Sequence, residues 1–290
     1  MKKNNLKKLF MMLLTAVLAL ALVSCGKKEE EEQPKDLLEQ IKERGYITVA
    51  TEPYFAPEEF IDPTKEGDEK YVGADIELAK YIAEKLGVEC RIVPLDFTTV
   101  LSSVTEGKYD LAISALAYKP DRAENMNLSD SYFIPEGEDN GYGFAVREED
   151  AGSIQTLEDI EDKVVAVQQG SLQQFLWEEY GGDCKEVKYV SSTNDAFLLV
   201  QEGKADVVVT ASAFAVNYIN ANKGCGLVLQ DYRFDVDDKY MGEVVAMKKG
   251  EDELLAAINE IIAETNESRI YYTWYEEYKE YAATLGLLEE

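Results

Sequence analysis

Short β-branched runs alternate with helical stretches along this chain, and the alternation runs through twice. Strand-like runs at residues 46–50, 90–93 and 111–113 are separated by helical periodicity over 75–86 and 98–106. This pattern predicts a parallel α/β sheet, because two parallel strands can be joined only by a crossover long enough to be a helix. The rhythm then restarts, with strands at 164–167, 186–190, 205–209 and 227–229 and helices at 171–180, 193–202 and 211–222. Two such units in tandem predict two lobes. A last helical region begins near Asp252, with Ile258, Ile261 and Ile262 at helical spacing, and runs on into Tyr271, Tyr272, Trp274, Tyr275, Tyr278 and Tyr281. Tyrosines in such a run are read as amphipathic groups capping a lobe.

The beginning of the chain carries an address. Lys2, Lys3, Lys7 and Lys8 precede an apolar run over residues 9–23 that ends in Leu22-Val23-Ser24-Cys25. A basic start and a short apolar stretch describe a secretory signal, and the stretch is too short for a membrane span. Its end resembles a bacterial lipoprotein cleavage site, which makes residues 1–24 the signal and Cys25 the lipidated first residue of the mature chain. The protein is expected outside the cytoplasm, held to the cell membrane by that lipid alone. Residues 25–36 then read as an acidic tether, with Glu29, Glu30, Glu31 and Glu32 in succession and nothing apolar to bury.

Charge and composition exclude several functions. The chain has a formal charge of −28, which becomes −32 once the four lysines of residues 1–24 are removed. Such a surface argues against a nucleic-acid partner. The chain has no histidine, so histidine-based triads and His-containing zinc sites are excluded, and neither a metal nor a cofactor is expected. Beyond Cys25 the cysteines are Cys90, Cys184 and Cys225. Free, partly buried thiols are expected, with a Cys184–Cys225 bridge as the alternative.

In open α/β sheets ligands bind beyond the carboxyl ends of the strands. That rule points to residues 51–60, 95–98, 114–122, 168–171 and 210–213, which in two lobes can face each other across a cleft. The third of these is the most telling. A buried strand (Leu111, Ala112, Ile113) breaks into Ser114-Ala115-Leu116-Ala117-Tyr118-Lys119-Pro120-Asp121-Arg122. Arg122 offers a planar fork of donors that stays charged, and a carboxylate is its natural partner.

Several motifs occur in one order: Gly45-Tyr46-Ile47-Thr48-Val49-Ala50-Thr51-Glu52, Gly73-Ala74-Asp75-Ile76-Glu77-Leu78, and Gly107-Lys108-Tyr109-Asp110-Leu111. They are followed by Pro120-Asp121-Arg122, Ser129-Asp130-Ser131-Tyr132, Val167-Gln168-Gln169-Gly170-Ser171 and Gly203-Lys204-Ala205-Asp206-Val207. In this order they resemble the extracytoplasmic solute-binding proteins of family 3, which serve amino-acid ABC transporters, from Leu37 to the C-terminal helices. The resemblance implies a two-lobed, type II periplasmic-binding fold, each lobe a mainly parallel sheet flanked by helices. Residues 37–141 and 243–290 would form lobe 1 and residues 142–242 lobe 2, with crossings near 141–144 and 238–243.

The same resemblance supplies roles. Arg122 would take a ligand carboxylate, aided by backbone amides of Ser114, Ala115 and Ala117, while Gly170 and Ser171 would open a helix whose free amides meet the same anion. Phe55 and Phe97 would wall the ligand, Gln168, Leu172 and Gln173 would lie near its side-chain end, and Glu52 matches an acidic position that meets cationic groups. Members that bind α-amino acids usually carry a carboxylate where this chain has Ala211. The ammonium must then meet another acid, for which Glu52 and Glu58 are the candidates, or the ligand is not an ordinary α-amino acid.

The function implied is a monomeric substrate-binding lipoprotein that captures a small carboxylate-bearing solute by clamshell closure. It would deliver the solute to a permease and ATPase encoded elsewhere, without catalysis. The competing expectation is a dehydratase-like enzyme on the same fold acting on a cyclic dicarboxylate, which would need a general acid such as Glu52 or Glu58.

Overall fold

The structure, a computed structural model, describes residues 36–136 and 140–288. The signal of residues 1–24, Cys25 and the tether up to residue 35 lie outside the described residues. Asp36 is the N-cap of the first helix, α1 (Leu37–Arg44), its carboxylate accepting from the Glu39 amide at 2.9 Å.

The first sheet begins with β1 (Tyr46–Thr51). A small antiparallel sheet of β2 (Tyr54–Phe55), β3 (Glu59–Ile61) and β4 (Tyr71–Val72) follows it. Next come α2 (Ala74–Leu86), β5 (Glu89–Pro94), α3 (Phe97–Thr105), β6 (Leu111–Ala112), α4 (Pro120–Asn125) and β7 (Met126–Phe133). The second sheet is built from β8 (Tyr142–Arg147), β9 (Val164–Gln168), α5 (Leu172–Tyr180), β10 (Glu186–Val190), α6 (Thr193–Gln201), β11 (Val207–Ala211), α7 (Ser212–Ala221) and β12 (Leu227–Leu229). The chain then returns through β13 (Glu243–Lys248) to the first sheet and ends in α8 (Asp252–Ser268) and α9 (Ile270–Thr284).

The two five-stranded sheets share one plan, β5-β1-β6-β13-β7 and β10-β9-β11-β8-β12. In each, the first three strands are parallel and the last two are antiparallel to their neighbours. The parallel half is the part that strand–helix alternation predicts. The antiparallel half consists of β7, β8, β12 and β13; β12 follows α7 and falls within the alternation, whereas β7, β8 and β13 do not belong to a strand–helix–strand repeat, and that is why alternation passes over them.

Both faces of each sheet are covered. Val49, Leu111 and Met247 pack with Ile82 of α2 and Ile258 of α8 on one face of the first sheet, whereas Ala50, Ala112 and Ala246 pack with Val100 of α3 on the other. In the second sheet Val165 and Val207 face Leu176 and Trp177 of α5, and Ala166 and Val208 face Phe197 of α6. Strands buried on both faces read as continuous apolar runs, which made them visible in the sequence. Cys184 and Cys225 pack with these two opposite faces, and Cys90, Cys184 and Cys225 are all free.

The closing helical region is two helices rather than one, broken at Arg269 with φ 53. Its tyrosines do more than cap. The Tyr271 hydroxyl donates to Asp75 at 2.7 Å, and Tyr275 reaches the cleft between the sheets.

Candidate functional site

The carboxyl ends of β1 and β6 in one sheet and of β9 and β11 in the other deliver Glu52, Ser114, Gln168 and Ala211 to a common cavity. Phe55, Phe97, Ala115, Ala117, Arg122, Ser171, Leu172 and Gln173 line it as well. Gly170 does not. Its φ of 79 requires the left-handed region, and an added Cβ would lie 3.2 Å from Leu101 of α3, so this glycine lets β9 approach the other lobe closely.

The anion end departs from the sequence expectation in its donors. Gly170 was expected to offer its amide, but that amide is spent on Gln174 Oε1 at 2.7 Å, and its carbonyl accepts from Arg122 Nη2 at 2.8 Å. Ser171 caps α5 through its hydroxyl, which accepts from the Gln174 amide at 3.0 Å. The donors without partners among the described residues are the amides of Leu172 and Gln173, the first two of the helix. In the 114–117 loop the Ala115 amide is also taken, by Asp75 Oδ2 at 2.8 Å, and Ala115 is held at φ 44, a strained value for a residue with a Cβ.

Arg122 is 4% exposed. Nη1 donates to the Ala117 carbonyl at 2.7 Å, Nη2 to Gly170 across the cleft, and Nε has no partner. Its guanidinium carbon lies 5.5 Å from the centre of the Phe97 ring. Among the described residues Arg122 joins no ion pair, and burial pulls its pKa down to about 10. A buried cation held only by carbonyls is well placed for an anion. Lys119 turns to the outer side of this contact, with Nζ 3.2 Å from Asp121 and 3.4 Å from the Gly170 carbonyl.

The cavity is lined by acids as well. Glu52, Glu58, Glu59 and Glu243 all line it, and none is more than 8% exposed. Glu52 accepts from Gln168 Nε2 at 3.0 and 3.2 Å, a bond between the lobes, yet burial still pushes its pKa to about 7. Glu59 accepts from the Ser114 hydroxyl at 2.8 Å. Behind it Asp75 accepts from Tyr132 and Tyr271 as well as from the Ala115 amide. Glu58 and Glu243, like Glu59, each leave Oε2 buried without a partner. Desolvation first, then neighbouring acids, hold both well above the usual carboxylate range.

Ala211 ends β11 and forms the N-cap of α7 with no side-chain hydrogen bond to the helix. The sequence reading named Glu58 but missed Glu59, Tyr142, Phe214, Asn217, Glu243 and Tyr275 as lining residues. Phe214 lies one helical turn beyond Ala211 and was within reach of that reading. Glu243 was not, because it enters through the pairing of Ala117 with Glu243, 126 residues apart in sequence.

A cavity between two α/β lobes, lined by a buried arginine and by buried carboxylates, has relatives. The chain matches the bacterial extracellular solute-binding proteins, family 3, over residues 47–281. It is 28% identical over 271 residues to the arginine-binding extracellular protein ArtP of Bacillus subtilis, covering 91% of this chain and 94% of that one. It is 26% identical over 253 residues to the L-cystine-binding protein TcyJ of Escherichia coli, covering 87% and 88% of the two chains. Among solved structures, the amino acid ABC transporter substrate-binding protein AbpA of Streptococcus pneumoniae, bound to L-arginine, superposes with a TM-score of 0.75 at 29% identity, covering 87% of this chain and 100% of that one. The chain belongs to the bacterial extracellular solute-binding proteins of family 3, and it has their two-lobed fold.

Proposed function

We propose that this chain is the substrate-binding lipoprotein of an ABC uptake transporter, lipidated at Cys25, and that it captures a small carboxylate-bearing solute, an amino acid or a related compound. The observation that carries this reading is Arg122, a buried guanidinium with no carboxylate partner among the described residues and with Nε unsatisfied beside the cavity. The free amides of Leu172 and Gln173 at the start of α5 give the same anion a second set of donors from the other lobe. Relatives named for arginine and cystine binding support an amino acid as the class of solute.

Closure is the working step. Residues 37–141 with 243–290 would move as one body and residues 142–242 as the other, hinged near 141–144 and 238–243. A ligand favours the closed form only through contacts made to both lobes, so specificity belongs to that form. The closed monomer would then present itself to a permease and an ATPase supplied in trans, and it would act without chemistry of its own.

A thermal-shift panel of amino acids, amines and dicarboxylates tests the reading. Ligand at 100 times its dissociation constant should stabilise the fold by roughly 2.7 kcal/mol. Stabilisation by amines that lack a carboxylate, and by no carboxylate, would remove Arg122 from the site. Mass spectrometry of protein extracted from the membrane checks the lipid on Cys25.

A further inference from the structure

The buried acids fall into two kinds. Asp75 and Glu59 have work within the fold, the first accepting three hydrogen bonds and the second the Ser114 hydroxyl. Glu58 and Glu243 are different. They are 5% and 8% exposed and line the cavity, and each, like Glu59, has an Oε2 without a partner, but neither accepts a hydrogen bond from the site loop as Glu59 does from Ser114, and among the described residues neither belongs to an ion pair. An unpartnered carboxylate at this depth is costly, so a protein keeps one where a cation is to arrive.

Their placement limits what that cation can be. Glu243 is bridged through its backbone to Ala117, and the Ala117 carbonyl accepts from Arg122 Nη1 at 2.7 Å. Glu243 is therefore one strand pairing from the carbonyl that holds the guanidinium, and both line one cavity, as a ligand that bears a cation and an anion requires. Tyr142 and Tyr275 line the same cavity as the two acids. Ala211 lines the cavity too and offers no charge.

We infer that Glu58 and Glu243 together receive the ammonium group of an α-amino acid whose carboxylate lies on Arg122, so that this chain recognises the amino group from its first lobe and from the returning strand β13. The inference rests on the carboxylate reading of Arg122 given above. The titratable groups facing the pair are Glu59, Asp75, Tyr132 of β7, Tyr142 of β8, and Tyr271 and Tyr275 of α9. Burial and neighbouring acids favour the protonated form of the empty pair, so protons are released to solvent as each carboxylate–ammonium contact forms.

The test is calorimetric titration of the wild-type chain, Glu58→Gln and Glu243→Gln with L-arginine and with 5-guanidinopentanoate, which lacks only the α-amino group, in two buffers of different ionisation enthalpy. Glutamine keeps the shape of the protonated acid, so both variants should fold and melt close to the wild type. The expected result is a tenfold or greater loss of L-arginine affinity in each variant. Affinity for the des-amino compound should be unchanged, and the proton release seen in the wild type should be reduced in each variant. Equal affinity of the wild type for the two compounds, or undiminished L-arginine binding by both variants, overturns the ammonium assignment while leaving Arg122 in place. Binding of neither compound by the wild type overturns it together with the carboxylate reading.

Discussion

Phe55 of β2 and Phe214 of α7 stack face to face across the cleft, their ring centroids 4.2 Å apart and their planes 5° from parallel. They belong to different lobes, so the stack exists only when the lobes are together. Together with the Arg122–Gly170 and Gln168–Glu52 bonds it is one of the contacts that favour the closed form. Phe55→Ala and Phe214→Ala are each expected to shift the balance toward the open form, and the pair to show a coupling of about 0.5–1.5 kcal/mol. A double-mutant cycle on ligand affinity, with small-angle scattering on the free protein, measures this. Strictly additive effects would mean that the rings do not act on each other in the closed state.

Asp75 holds three groups from separate parts of the chain, namely Tyr132 of β7, Tyr271 of α9 and the Ala115 amide of the site loop, at 2.7–2.9 Å. Asp75→Ala strands all of them, at about 1–3 kcal/mol for each buried group left unsatisfied. We expect a loss of several kcal/mol in urea denaturation, and a binding loss as Ala115 is freed from φ 44. A variant as stable as the wild type would show that these bonds are replaceable by solvent.

Gly73 precedes α2 at φ +133, and a Cβ there would lie 2.1 Å from the Glu58 carbonyl. Gly73→Ala therefore forces apart the turn that positions Glu58 and the N-terminus that carries Asp75. The expected outcome is a chain that is strongly destabilised or insoluble, by about 4 kcal/mol or more on the scale of backbone clashes. Near wild-type melting would contradict the close approach.

Glu52 gives the fold a dependence on pH. Its ordinary value is 4.5 and its folded value about 7, so across that window the folded state binds the extra proton. Stability from this group is fully present below about 4.5 and falls as pH rises through about 7, by about 3 kcal/mol in total, after which it is level. Glu58, Glu59 and Glu243 are shifted in the same direction, by desolvation and by neighbouring acids, and act on stability with the same sign. Glu52→Gln should flatten the profile between pH 5 and pH 8 and be the more stable chain at the upper end. Denaturant melts of both proteins across that range test this, and parallel profiles would place the titration elsewhere.

The parts of this molecule that could be read from its sequence are those where local pattern and burial agree. β9 is sheathed on both faces and opens as an apolar run, β1 is apolar and β-branched except for Tyr46, whose ring is half-buried, and α2 announces itself through Gly73, Gly87 and the spacing of Ile76, Ala79 and Ala83. β7 was hidden because its residues, Met126-Asn127-Leu128-Ser129-Asp130-Ser131, mix polar and apolar groups at a sheet edge, where only part of the strand is covered. At the site, Arg122 was found from its own chemistry and its loop. What it bonds to was not, since the direction of the Gly170 carbonyl depends on how β9 meets α3 across the cleft. Glu243 stayed invisible for the same reason, because a strand returning from the other lobe brings it to Ala117.

The central claim is that the cleft grips a carboxylate through Arg122, and the most direct measurement is calorimetric titration of Arg122→Ala against the wild-type chain with the tightest-binding solute of the thermal-shift panel. Removal of a charge-assisted, buried donor pair predicts a loss of about 3 kcal/mol or more, on the order of 100-fold in affinity, with the far-ultraviolet circular dichroism of the free protein unchanged. Undiminished affinity in the variant would contradict the account.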